Sequence, residues 1–256
     1  MSYKLYKLEF STYTMKRLNL IKPIVGSFLL ALLAFVFACS PQIKNSKANS
    51  KFNTVQNIPQ DIEKWEKSIA AFEQQDKENP PKKGSILFVG SSSMVMWKDL
   101  DSYFPGKFII NRGFGGSQTD EVHYYAFRML FPYQPKQVVV YVGDNDVNAG
   151  KSPEKVFSDL KDFFEDIRYQ LPKTKITYIS IKPSPSRWAL MDKFTKTNTL
   201  VENYLETVSN SSYVDIVKPM LLGNGRPNPA YFLSDSLHMT PAGYDVWAKA
   251  LAPHLE

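Results

Sequence analysis

A chain of 256 residues has room for one domain of about 200 residues plus extra segments, enough to bury a single large core. Its 43% hydrophobic and 22% charged content is that of an ordinary globular protein. The formal net charge of +6 does not argue for a nucleic-acid partner: residues 1–38 hold five Lys or Arg against one Glu, the remainder carries 26 basic against 24 acidic residues, and no basic run is interleaved with aromatics.

Lys16, Arg17 and Lys22 precede the uncharged apolar run Ile24–Ala38, whose length suits a signal peptide rather than a membrane span. Translation starting at Met1 or at Met15 leaves this run intact. It ends at Val36-Phe37-Ala38-Cys39, and Cys39 is the sole cysteine, so no internal disulfide is expected. The segment resembles the lipobox of bacterial lipoproteins, which implies cleavage before Cys39 and lipidation of its thiol. Three segments follow: a lipoprotein signal peptide over 1–38, a flexible tether over 39–57, polar and without periodicity, and a folded domain over 58–256. The expected location is the bacterial cell envelope, at the outer membrane, with the membrane as partner through the lipid anchor.

Within the domain, Ile62, Trp65, Ile69 and Phe72 recur at helical spacing before Pro80-Pro81. Ile86–Val89 reads as a buried strand that ends abruptly at Gly90 and three serines, followed by a helix carrying Met94, Trp97 and Leu100. A second strand is expected over Lys107–Asn111, leading to Arg112-Gly113-Phe114-Gly115-Gly116. Ser117 and Asp120 then form a capping-box-like start to a helix. The third strand is Gln137–Val142, entering Gly143-Asp144-Asn145-Asp146, and Ser152-Pro153 opens a long amphipathic helix. Lys175–Ile181 is the fourth strand, followed by a Pro/Ser turn and a helix around Trp188–Val208. Tyr213–Val217 is the fifth strand, and Thr240-Pro241 caps the last helix. Alternating strands and helices, with near-continuously apolar strands, imply an α/β fold: a three-layer α/β/α sandwich on a five-stranded parallel sheet of flavodoxin-like order.

In such a sheet ligands bind off the carboxyl ends of the strands, where the polar clusters of this chain fall. The serine turn either caps a helix or presents a nucleophile beside backbone N–H groups that face an oxyanion. Asp235-Ser236-Leu237-His238 places a carboxylate three residues before a histidine, close enough to hold its tautomer. The other histidines, His123 and His254, fall on an amphipathic helix and at the chain end, as solvent or packing residues. Asn145 makes an Asx turn with Asp146 or offers its amide to an oxyanion. Gly115-Gly116 makes a plain turn, cradles a phosphate, or brings a backbone N–H up to a reacting atom. No His/Cys/Asp cluster has metal-ligand spacing, and no cofactor is expected.

Four stretches taken together, Gly90–Ser93, Asn111–Gly116, Gly143–Asp146 and Asp235–His238, resemble in kind and order the four blocks of the SGNH hydrolase superfamily, the GDSL-type esterases and lipases. The resemblance runs from about Gly84 to the C-terminus. It implies Ser92 as nucleophile, His238 as base and Asp235 as orienting acid. It also implies an oxyanion hole of the Ser92 and Gly116 N–H groups and the Asn145 side chain. Ser91 stands where the family has Asp, a residue that supports the turn, and Ser93 is expected to enter the helix as a cap. Gly-x-Ser-x-Gly, the signature of ordinary α/β-hydrolases, is absent. The implied activity is hydrolysis of carboxylic esters through an acyl-enzyme. The substrates expected are short-chain esters of glycans, small molecules or lipids, carbohydrate O-acetyl groups first. Lys182, Arg187 and Trp188, after the fourth strand, are candidates to line the substrate pocket, or they tie down the Pro-rich turn. A competing reading is a non-catalytic glycan-binding lipoprotein on the same fold. A flavodoxin-type nucleotide binder is disfavoured because no Gly-x-Gly-x-x-Gly or P-loop follows the first strand.

Overall fold

The computed structural model describes Pro59 and residues 61–256; the expected signal peptide, the tether and Cys39 lie outside the described residues. Five strands, β1 (Ile86–Gly90), β2 (Ile109–Gly113), β3 (Gln137–Tyr141), β4 (Lys175–Ile179) and β5 (Ser211–Val214), form one sheet in the order β2-β1-β3-β4-β5. Every pairing is parallel. The helices are α1 (Glu66–Glu78), α2 (Ser92–Val95), α3 (Thr119–Met129), α4 (Asp144–Asn148), α5 (Pro153–Gln170), α6 (Met191–Glu206) and α7 (Pro241–Leu251).

The alternation of side chains along each strand feeds two cores. Leu87 and Val89 of β1, with Val138 and Val140 of β3, meet α1, α3, α5 and α6 on one face. Ile86 and Phe88, with Val139 and Tyr141, meet Met94 of α2 and Tyr244, Trp247 and Leu251 of α7 on the other. Because both faces are covered, the inner strands are apolar at consecutive positions, and each such side chain contributes about 1.5–3 kcal/mol by burial. Trp97 anchors the second core, stacked on Tyr244 with ring centroids 5.1 Å apart and edge-on to Trp247 at 5.9 Å.

The structure departs from the expected elements where edge position or a local turn outweighs hydrophobic pattern. β2 lies two residues later than Lys107–Asn111, because its pairing with β1 continues to Gly90 opposite Gly113. β5 begins earlier, at Ser211 and Ser212, since an edge strand tolerates polar residues. The helix after β1 is a single turn; Asp99, at a φ of +51°, breaks the chain before a 3-10 turn at Leu100. Met94, Trp97 and Leu100 are nonetheless all buried. The start of α3 also sits one residue later than expected: Gln118 is the cap, and its N–H donates to the Glu121 carboxylate at 2.8 Å.

The order of strands reverses between β1 and β3, so the crevice off their carboxyl ends is the switch point where open α/β sheets bind ligands. Gly90 makes the exit from β1 possible. Its φ is +144°, and a Cβ there would stand 1.8 Å from the Tyr141 carbonyl oxygen. Ser91 N–H donates to that same oxygen at 3.2 Å, which fixes the turn against β3. Gly90→Ala is therefore expected to destabilise the domain by about 3 kcal/mol or more, through strain and displacement of β3. Urea denaturation at an unchanged midpoint would count against this account of the turn.

Candidate active site

Ser92, the first residue of α2, lies at the carboxyl end of β1, where the first helical N–H groups have no intrahelical acceptor. Its Oγ is 3.0 Å from Nε2 of His238, and Nδ1 of His238 is 2.6 Å from Oδ2 of Asp235. The imidazole's hydrogen bond holds the Asp235 carboxyl down at about 2 against a weaker opposing effect of burial, with further help from backbone N–H groups. An ionised carboxylate can only accept, so Nδ1 carries the proton and Nε2 of the neutral ring accepts from the Ser92 hydroxyl.

The loop that carries the acid and the histidine is fastened from several sides. Oδ1 of Asp235 accepts the N–H groups of Leu237 and His238, each at 2.9 Å, leaving Oδ2 for the imidazole. Ser236, at a φ of +58°, makes the tight reversal between them, and Leu233 N–H donates to the His238 carbonyl at 2.7 Å. Ser186, in the turn after β4, donates its N–H to the Ser236 carbonyl at 3.1 Å and so joins that turn to the loop.

The three adjacent serines are held differently. Ser91 occupies the N-cap position of α2, and its buried hydroxyl has no hydrogen-bond partner among the described residues. Ser93 does not cap the helix as expected. Its buried Oγ accepts from Lys182 Nζ at 3.2 Å, and its carbonyl accepts from the Tyr244 hydroxyl at 2.8 Å. Ser92 is the one whose hydroxyl meets the imidazole.

Gly116 has a φ of +78° in the loop between β2 and α3, which suits glycine. Asn145 follows β3 in the first turn of α4, and its Nδ2 donates to the Ser117 carbonyl at 3.0 Å. That bond ties the Asn145 amide to the loop carrying Gly116 and leaves the second Nδ2 hydrogen uncommitted by it. Asp146 reinforces the same junction from beneath: its carboxylate accepts the Thr119 N–H at 3.0 and 3.1 Å and pairs with Lys151 at 2.9 Å. Burial pushes its carboxyl up to about 6, with Lys151 opposing. Asn111, which heads the second sequence block, holds α2: its Nδ2 donates to the Met94 carbonyl at 2.7 Å.

Lys182 faces into the protein. It is 2% exposed, and its ammonium lies 3.1 Å from the Tyr141 hydroxyl and 3.3 Å from Asp144 Oδ2 as well as on Ser93. Arg187 also faces inward, with Nη2 donating to Asn145 Oδ1 at 3.0 Å and Nη1 at 3.0 Å from Asp144 Oδ2. Trp188 is half-buried, with the Arg226 guanidinium 4.6 Å from its ring centre. Burial works to raise the Asp144 carboxyl and to lower the Lys182 ammonium. At Asp144 the two cations outweigh burial and the carboxyl ends below its ordinary value; at Lys182 burial wins and the ammonium also ends below its own. Nothing local in the sequence marks Asp144: it occupies the variable position of Gly-x-Asn-Asp, and its partners lie 38 and 43 positions onward.

Among the described residues, no group of three or more His, Cys, Asp or Glu is placed to hold a metal ion, and no helix is long and apolar enough to cross a membrane. Residues 88–246 match the model of the GDSL-like Lipase/Acylhydrolase family. The chain belongs to this family. As a GDSL-like lipase/acylhydrolase it is an ester-hydrolysing enzyme. No curated protein matches it. Solved structures share its fold. A Streptococcus pneumonia protein assigned as a platelet activating factor is 22% identical, with a TM-score of 0.67 over 76% of this chain and 94% of that one. A GDSL-like lipase from Bacteroides thetaiotaomicron is 22% identical, with a TM-score of 0.60 over 76% and 96%. A variant of an acetyl-xylooligosaccharide esterase from Geobacillus Stearmophilus is 15% identical, with a TM-score of 0.56 over 68% and 94%. With these the GDSL-like enzyme shares a five-stranded parallel sheet covered by helices on both faces.

Proposed function

We propose that this GDSL-like enzyme hydrolyses short-chain carboxylic esters, acetyl groups foremost, carried by glycans or by small-molecule or lipid alcohols, through an acyl-enzyme on Ser92. The observation that carries the reading is the unbroken line from Ser92 Oγ to His238 Nε2 at 3.0 Å and from His238 Nδ1 to Asp235 at 2.6 Å. Ser92 Oγ attacks the ester carbonyl carbon while its proton passes to Nε2, and Asp235 stabilises the imidazolium. The carbonyl oxygen becomes an oxyanion that takes hydrogen bonds from the Ser92 and Gly116 N–H groups and the Asn145 amide. Collapse breaks the bond to the alcohol, which leaves with the proton from Nε2. Water, deprotonated by the same nitrogen, then attacks the acyl-Ser92 carbonyl; collapse releases the acid and returns the proton to Ser92.

The preference for acetyl and glycan esters is supported by a solved relative of the same fold, the acetyl-xylooligosaccharide esterase, and by a Clostridium thermocellum family 3 carbohydrate esterase. A panel of p-nitrophenyl esters from acetate to palmitate, run beside acetylated xylo-oligosaccharides, tests it. The expected order is acetate above butyrate above longer chains, with acetate released from the glycan. Activity confined to long acyl chains would overturn the preference. A wild-type enzyme that a fluorophosphonate fails to label would overturn the acyl-enzyme.

Membrane attachment through Cys39 belongs to the same proposal, on the strength of the lone thiol at the end of the apolar run. One acyl chain binds membranes only marginally, so stable anchoring calls for the multiple chains of a lipoprotein. Cys39→Ser is expected to leave the precursor uncleaved at this site and unlabelled by radioactive palmitate; normal processing at residue 39 would refute the anchor.

A further inference from the structure

We propose that Arg187 is a positioning residue for the reaction, fixing which way the Asn145 amide faces and strengthening the hydrogen bond it gives to the oxyanion. The inference deepens the reading above and rests on the oxyanion role given there to Asn145.

An amide's oxygen and nitrogen have nearly the same shape, so only its partners decide its orientation. Asn145 has one partner of each kind. Arg187 Nη2 can only donate, and it meets Oδ1 at 3.0 Å; the Ser117 carbonyl can only accept, and it meets Nδ2 at 3.0 Å. A flipped amide would set N–H against guanidinium and oxygen against carbonyl, losing both bonds at once. In the observed orientation one Nδ2 hydrogen is spent on Ser117 and the other remains for the substrate. A cation on Oδ1 also draws electron density from the amide nitrogen, and a polarised hydrogen-bond chain strengthens its members by about 10–30% per bond.

Arg187 is itself fixed. Its side chain is 13% exposed, and Nη1 lies 3.0 Å from Asp144 Oδ2, a charge contact rather than an aligned hydrogen bond. Lys182 reaches the same carboxylate oxygen at 3.3 Å. The guanidinium is thus held between the Asp144 carboxylate and the Asn145 amide of α4, and its Nη1 is buried. Its own segment, the turn after β4, is tied to the acid–base loop by the Ser186 to Ser236 hydrogen bond. One turn therefore braces the oxyanion donor and touches the loop of the base.

The test uses p-nitrophenyl acetate with Asn145→Ala, Arg187→Met, Arg187→Lys and the double variant Asn145→Ala/Arg187→Met, each checked by thermal melting. Asn145→Ala is expected to lower kcat about a hundredfold. Arg187→Met should lower kcat about tenfold with KM within about twofold, the sign of an interaction made in the transition state. Arg187→Lys, which keeps a donor and a charge, should recover kcat to within about threefold of wild type, and it carries the test should Arg187→Met fail to fold. On the Asn145→Ala background, Arg187→Met should lower kcat by less than about twofold, since its effect passes through Asn145. A raised KM at unchanged kcat, or a full tenfold further loss on the Asn145→Ala background, would overturn the positioning role alone. Wild-type kcat in Asn145→Ala would overturn the oxyanion reading, and this inference with it.

Discussion

Ser92→Ala is expected to abolish fluorophosphonate labelling and to lower kcat for acetyl esters by about ten-thousandfold or more, with the fold intact. The three serines of the turn are chemically equivalent, so the argument is one of environment. Ser92 Oγ alone stands within hydrogen-bonding distance of His238. The Ser91 hydroxyl is buried without a partner among the described residues, and removing an unsatisfied buried hydroxyl is close to neutral or mildly stabilising. Ser93 points the other way, to Lys182, which keeps the Tyr141 hydroxyl and Asp144 if that contact is lost. Ser91→Ala and Ser93→Ala should therefore keep the label and most of the activity. A phosphonate adduct found on Ser91 or Ser93 by peptide mass spectrometry would overturn the assignment.

What the sequence disclosed and what it hid divide along a physical line. The sheet was legible because burial on both faces forces consecutive apolar residues into β1 and β3, and the turn chemistry at Gly90 and Thr240-Pro241 marks where elements stop and start. The motif residues could be placed because each follows directly on a strand or sits within one short loop: Asp235 and His238 are three residues apart and close their hydrogen bond locally. β2 and β5 were misplaced because an edge strand is set by pairing with its one neighbour more than by hydrophobic pattern. The surroundings of Lys182 were not legible for a different reason. A lysine at a strand end reads as a surface or pocket residue, and only the fold brings Asp144, Tyr141 and Ser93 around it, making a buried ammonium tolerable. Arg187 belongs with it: the partners that turn it inward, Asp144 and Asn145, come from another strand end.

Asp235→Asn is expected to lower kcat by about a thousandfold to ten-thousandfold while leaving KM for acetyl esters and the melting temperature nearly unchanged. The substitution is close to isosteric, and an asparagine Oδ1 still accepts the Leu237 and His238 N–H groups that Asp235 holds at 2.9 Å each. What changes is the group facing the imidazole. A carboxylate accepts from Nδ1 and so leaves Nε2 open to the Ser92 proton. An amide NH₂ in the same place donates to Nδ1, moves the ring proton to Nε2, and removes the acceptor that Ser92 needs. The loss of the anion also withdraws the charge that stabilises the imidazolium formed during attack. Because Asp235 titrates at about 2 in the folded enzyme, below the ordinary 3.8, the wild-type carboxylate stays charged through the neutral and mildly acidic range. Whatever stability its charge lends the loop is complete above the ordinary value and fades only as pH falls towards 2. Protonation of Asp235 therefore makes no contribution to the pH dependence of wild-type kcat/KM in the neutral and mildly acidic range. Raising the pH should not restore the variant, since the wrong tautomer rather than a wrong charge state limits it. The pH–rate profiles of the two enzymes, measured alongside their melting curves, decide the matter: an Asp235→Asn variant within about threefold of wild-type kcat would remove Asp235 from the catalytic chain.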